Sequence, residues 1–378
     1  MRFQVVSMDG TTVGLAPGLP ADRLGSLFGG KFKPEPCGDA GRDQPLLRGA
    51  EPVCADSIRL MPSARIEIFV TWRDAAGRPV DPPPGATALL RNASAPDTGG
   101  DAWPNVVLAS IGFRGPHFPH PAIAMKGPAG GATAAYLAQP AEVMLPQQQV
   151  AVPADLATAA LAGALPAGDA RLAQPGAAAT ALRQLRPGAP GIEGLTLQAG
   201  LPCRPLPAHW RRRILFGVPA ADPNAFGLGY ELVDDGNVVR ERQEIAVFQH
   251  DRTTVCVPLK GAVPATETWE LVNLAGEDHN FHIHQTRFQV LPDAAAMPVP
   301  PGAPGAVFQD NVPVPRASGG SCDGTLDPAT HAPPAGCTTR PVFVSIAFQE
   351  LGDFVYHCHI LEHEDGGMMA RIAVRAVP

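Results

Sequence analysis

The sequence predicts an all-β protein built from Greek-key β-sandwich domains, and three observations carry that expectation. Short runs of β-branched and aromatic residues recur, among them RFQVVSM, ARIEIFVTW, TTVCVPL and ARIAVRAV. Forty glycines and forty-three prolines punctuate them, which suits turns between strands and interrupts long helices. Between residues 206 and 378 roughly eight such runs follow one another, the spacing of a sandwich domain.

Taken in order, the opening MRFQVVSMDGTTVGL reads as strand, turn at Asp9-Gly10, and strand, with no hydrophobic core of a signal peptide. ARIEIFVTW, TALLRNA and VVLASIGF follow, so residues 1–125 form a first, partial β domain. Residues 126–205 shift to Ala, Gly, Pro and Gln and read as a linker or insert holding a helical turn or two at most. From 206 to 378 come RRRILFGV, EIAVFQH, TTVCVPL, ETWELVNL, FHIHQTRFQVL, PVFVSIAF, DFVYHCHI and ARIAVRAV, with a long loop over 292–340.

At 378 residues, 45% apolar and 17% charged, the chain has material for two or three cores. A net charge of −7 and a pI near 5.9 give no reason to expect nucleic acid or an anionic membrane as partner. No apolar run reaches transmembrane length. Of seven cysteines, Cys358 sits among histidines and six remain. Cys322 and Cys337 bracket a Gly/Pro-rich loop whose closure stabilises by roughly 3 kcal/mol. Cys37 with Cys54 is a plausible second pair, leaving Cys203 with Cys256; six buried thiols are the alternative. Pairing places the protein outside the cytosol, periplasmic or secreted.

Two histidine knots carry the chemistry, HNFHIH at 279–284 and HCHILEHEDGGMM at 357–369. Side chains alternate along a strand, so His357 and His359 face one way and Cys358 the other, while His282 and His284 share a face. Two such pairs offer four imidazoles to one metal cluster. The opposite face suits a second metal held by a thiolate, two imidazoles and a weak thioether, which is a blue-copper donor set. Cys358 and His363 supply two of these donors, Met368 is the axial candidate, and His279 is the second imidazole. Met369 is assigned to the core. Zinc is the alternative, but this pattern has no CxxC pair and zinc rarely takes Met. His209 and His250 read as surface or satisfied core residues, and His117, His120 and His331 as loop residues.

These segments resemble the multicopper oxidase family of laccases, ascorbate oxidases and bacterial copper oxidases. HNFHIHQTRFQVL is similar to its H-P-x-H-x-H segment, with Asn280 where proline is usual, and HCHILEHEDGGMM to its H-C-H-x-x-x-H-x-x-x-x-M segment. ETWELVN, DNVPVP and FQVVSMDG…LMPSARIEIFV fit as well. The resemblance implies cupredoxin-like domains, with 1–125 part of the middle domain and 206–378 the plastocyanin-like C-terminal domain. It assigns His279, Cys358, His363 and Met368 to type 1 copper, His282 to type 2 copper, and His284, His357 and His359 to the type 3 pair. It also implies that electrons from a small-molecule donor, phenolic or a metal ion, pass through Cys358 to His357 and His359, and that oxygen is reduced to water beyond them.

In the family, two further H-x-H pairs in a first domain complete the trinuclear site. This sequence holds only the pairs 282/284 and 357/359, so half of that site is expected here and a first domain upstream in the gene. A mononuclear electron carrier, or a second chain that supplies the missing histidines, are the competing expectations. Glu277, Asp278, Glu364 and Asp365 flank the type 1 histidines and read either as donor-binding carboxylates or as solvated turn residues.

Overall fold

Within ATETWELVN the side chains alternate between two cores: Trp269 and Leu271 enter the main core, while Val272 joins a smaller cluster with Leu215, Ile245 and Leu274. That alternation makes the strand the middle of a sandwich with apolar material on both of its faces. The structure, a computed structural model, describes residues 2–13, 27–36, 53–113 except 73, 77–79 and 94–104, and 203–377 except 251–252, 261–263, 302 and 304–305. The Ala-rich insert expected at 126–205, Cys37, His117 and His120 lie essentially outside those residues.

The C-terminal unit contains two sheets. The first runs in the order β10 (Val239–Ala246), β9 (Gly227–Val233), β8 (Arg211–Gly217), β12 (Ala265–Asn273), β16 (Val342–Phe348), β14 (Phe288–Leu291). The second runs β11 (Thr253–Lys260), β18 (Met369–Val377), β17 (Gly352–His357), β13 (His279–Ile283), β15 (Asn311–Val314). Pairing is antiparallel except for β8 with β12 and β11 with β18. Crossovers between the sheets give the expected Greek-key sandwich.

Trp269, Phe216, Phe281, Phe288, Phe348 and Tyr356 fill the space between the sheets with almost no exposure. Each such side chain contributes on the order of 1.5–3 kcal/mol by leaving water. A bidentate pair, Arg212 to Glu267 at 2.7 and 2.8 Å, crosses this interior, and Trp269 donates to the same carboxylate at 3.0 Å. Cys203 is bonded to Cys256 and Cys322 to Cys337, and Cys54 is disulfide-bonded as well.

In the C-terminal unit three strands escape the sequence reading. β9, GLGYELV, is buried along its whole length, so it shows no polar alternation. β15, NVPV, contains Pro313, which an edge strand tolerates. FHIHQTRFQVL is two strands, because Gln285 turns the chain at φ 61°. A five-residue helix, α1 (Leu361–Asp365), also went unread, being too short for a periodic pattern.

The N-terminal residues form a sheet centred on β1 (Arg2–Met8), which pairs with β2 (Thr11–Thr12), β4 (Val53–Ala55) and β5 (Ile66–Thr71); β3 (Glu35–Pro36) lies beyond β4. β6 (Thr87–Ala93) and β7 (Asn105–Gly112) make a separate hairpin. The N-terminal sheet grips the histidine-bearing side of the sandwich. Buried Asp9 accepts from Lys31 Nζ at 3.1 Å and from Asn311 Nδ2 at 3.2 Å. Arg65 pairs with Asp310, and Arg59 with Asp278. Gln309 Nε2 donates to Leu27 O at 2.8 Å, which ties down the same loop.

Candidate metal centre

β13 and β17 lie side by side, with His282 opposite His357, so the two histidine knots are brought together by strand register. Residues 279, 281 and 283 of β13 point into the sandwich, whereas His282 points to its rim. The thiol of Cys358 follows directly on the end of β17.

Three donors meet in the interior. His279 Nδ1 and His363 Nδ1 are 2.9 Å apart, and Cys358 Sγ lies 3.8 Å from the first and 3.5 Å from the second. Helix α1 delivers His363, the one buried residue of its five. Phe226 stacks on the His363 ring at 4.2 Å, and Phe216 on the His279 ring at 5.9 Å. Met368 is fully buried in the same core, its carbonyl accepting from the Cys358 N–H at 3.0 Å. Met369, expected in the core, is instead half-buried where β18 begins.

Burial sets the electrostatics here. It holds His363 down to about 4 and His279 well below the ordinary imidazole value, so both rings keep a lone pair at neutral pH. It pushes the Cys358 thiol up to about 12, against the pull of the Asn280 and Ile360 N–H groups. His363 Nε2 faces Glu277 Oε1 at 3.5 Å, and the Glu277 carboxyl is raised by burial and by Glu362.

Four more imidazoles gather at the rim. Ring centroids of His282 lie 5.1 Å from His284, 5.3 Å from His357 and 5.3 Å from His359, and His357 lies 4.9 Å from His359. His282 Nδ1 donates to the Asp310 carbonyl at 2.8 Å and His357 Nδ1 to the Cys358 carbonyl at 3.1 Å. A carbonyl only accepts, so in both rings Nδ1 carries the hydrogen and Nε2 is left as the ligand atom. His284 Nε2 and His357 Nε2 approach to 3.2 Å. Burial lowers His282 to about 4 and also lowers His284 and His357.

The strand argument for alternation does not extend past His357, because β17 stops there. His357 and His359 nevertheless converge on one carboxylate, Glu364 Oε2, at 3.5 and 3.3 Å. Glu364 thus stands between the groups as a residue of α1, a contact that needs the helix and so was not readable from spacing. Asp278, expected beside the site, instead pairs with Arg59 and accepts the Arg316 N–H at 2.8 Å. His209 and His250 are exposed, and His331 lies 3.9 Å from Glu244, away from both groups.

These donors suit copper. A thiol and two neutral imidazoles converge, and His279 Nε2 is buried with no hydrogen-bond partner, which leaves Nδ1 as the atom with something to bind. At 2.9 Å the two Nδ1 atoms are within hydrogen-bond distance of each other, one ring donating according to its tautomer, and a cation held by both would take the place of that shared hydrogen.

Comparison with known proteins agrees. Residues 233–377 match the family model described as multicopper oxidase. Over 113 residues the chain is 33% identical to a multicopper oxidase of Staphylococcus haemolyticus, covering 29% of this chain and 20% of the relative. It is 30% identical over 118 residues to a laccase of Haloferax volcanii, covering 31% of this chain and 17% of that one. The chain thus spans about a fifth of the length of the curated relatives it matches. Among solved structures, a laccase from Pediococcus acidilactici is 24% identical, covering 50% of this chain and 30% of its own, with a TM-score of 0.26. Both histidine knots lie inside the matched region, so it is over residues 233–377 that the chain is similar to multicopper oxidases.

Proposed function

We propose that this chain is a copper-binding oxidoreductase of the multicopper oxidase type. His279, Cys358 and His363 would hold one copper, with Met368 buried in the same core; His282, His284, His357 and His359 would contribute to a second, multinuclear site. Copper bound at these positions would supply one-electron oxidation of a donor at the thiolate site and reduction of oxygen to water at the histidine site. The observation that carries this reading is the convergence of His279, Cys358 and His363, two neutral imidazoles and a thiol, in one buried pocket.

The residues divide the work by position. Cys358 reaches the interior group, and its neighbours His357 and His359 reach the rim group, so three consecutive residues make the shortest covalent connection between the sites. Glu277, half-buried beside His363 Nε2, is placed to take a proton from a phenolic donor or to attract a metal-ion donor. Glu364 orients His357 and His359 and is the carboxylate nearest the rim imidazoles. The disulfides suit a periplasmic or secreted location.

Among the described residues the rim group gathers only four imidazoles. We assign its remaining ligands to a further cupredoxin-like domain outside 1–125 and 206–378, the two domains of this chain. The same observation favours a second reading, a mononuclear copper electron carrier, for the chain by itself. Copper count, visible spectrum and oxygen uptake of the copper-loaded chain decide between them. One copper with an intense blue band and no oxygen uptake supports the carrier. Several coppers with uptake support the oxidase, and no tightly held copper removes both.

A further inference from the structure

Cys358 Sγ receives a hydrogen bond that proline at position 280 has no atom to make. The donor is the backbone N–H of Asn280, 3.4 Å from the sulfur. β13 has β15 on one side and β17 on the other, and successive N–H groups of a strand point to opposite neighbours. Asn280 is paired with Pro313, and β17 ends at His357, so the Asn280 N–H faces the place just past that end, where Cys358 sits. The bond is therefore additional to the sheet's own ladder. Both residues are wholly buried, and no solvent competes for the sulfur. The side chain fixes the peptide from the far side, Asn280 Nδ2 donating to Pro62 O at 3.0 Å.

We propose that the Asn280 peptide N–H tunes the thiolate site: it holds charge on Cys358 Sγ and so raises the reduction potential of copper bound there. This rests on the reading of His279, Cys358 and His363 as a copper site and deepens it. A donor on a ligand sulfur withdraws electron density from the metal–sulfur bond, which favours the ion of lower charge. In the segment that HNFHIH resembles proline is usual at this position, and proline has no N–H to give, so on this proposal the asparagine sets the potential and with it the donors this chain can oxidise. Proline at 280 is a clean probe. It removes an N–H that the ladder does not use, and His279 before it is already extended, as a residue preceding proline must be. Alanine at 280 keeps the N–H and removes only the contact to Pro62.

The test compares the full chain with Asn280→Pro and Asn280→Ala, each loaded with copper, by metal count and by potentiometric titration of the visible band. Asn280→Pro is expected to bind the same amount of copper with a lower potential and a band shifted to longer wavelength. Asn280→Ala is expected to stay close to the parent. Equal potentials in the parent and Asn280→Pro overturn the proposal. A second measurement stands even where Asn280→Pro fails to fold. In the parent chain loaded with cadmium-113, the Asn280 amide proton should show scalar coupling to the metal through sulfur, and its absence overturns the proposal. If neither copper nor cadmium is retained, the site assignment itself falls, a result distinct from bound metal with an unshifted potential.

Discussion

His279 and His363 present their Nδ1 atoms to each other at 2.9 Å, although 84 positions separate them in the chain. The two buried, neutral rings are within hydrogen-bond distance, one Nδ1 donating to the other according to tautomer, and Cys358 Sγ completes the triangle at 3.5 and 3.8 Å.

Replacing the thiol should remove the interior site and spare the rim. In Cys358→Ser the intense visible band is expected to vanish and copper content to fall by one per chain, because a hydroxyl is a poor ligand where a thiolate is required. Visible absorption with metal analysis checks this. A retained blue band in the variant would sink the assignment.

The metal-free chain should lose stability as the pH falls from neutral. Burial depresses the folded-state values of His363 and His282 to about 4, below the ordinary 6.5. Between those values the unfolded chain binds the protons and the folded chain does not, so acid favours unfolding. The stability is present above about 6.5, declines through the window, and levels off below about 4. At ~1.4 kcal/mol per pH unit, His363 alone accounts for roughly 3 kcal/mol. Urea unfolding at several pH values measures the slope, and bound copper should flatten it by holding the same lone pairs.

Glu364→Gln should weaken the rim group without touching the interior one. The carboxylate reaches His357 and His359 at 3.5 and 3.3 Å, and loss of such a supporting partner typically costs about 10–100-fold in metal affinity. The blue band should persist unchanged. Parallel loss of both sites would instead mean that α1 had collapsed.

Asp9→Ala should unlock the N-terminal sheet from the histidine rim. Lys31 is wholly buried against Asp9, and burial already lowers its pKa. Removing the partner leaves a buried amine uncompensated, at a cost of about 3–5 kcal/mol. Asp9 also accepts from the Asp310 N–H at 3.3 Å, and Asp310 in turn receives His282 Nδ1–H. A falling melting temperature with weaker metal uptake at the rim is expected. An unchanged melting temperature would show that the buried pair does not hold the two sheets together.

What could be read along the chain was local. β-branched runs and turn residues mark the all-β class, and period-two alternation by itself puts His282 on the face opposite His279. β9 and β15 stayed hidden because complete burial and an edge proline erase that alternation. Glu364 was visible only as an acid beside His363, since its approach to His357 and His359 depends on a helix too short to announce itself.

By itself, then, the sequence determined the donor types, their spacing and their split between two faces, because these follow from residue chemistry and strand geometry. Only the tertiary structure decided that Phe226 covers His363, that the Asn280 N–H lands on Cys358 Sγ, and that Asp9 and Lys31 hold the loop behind His282. Each of these joins residues far apart in the chain, through packing between sheets that no local period encodes.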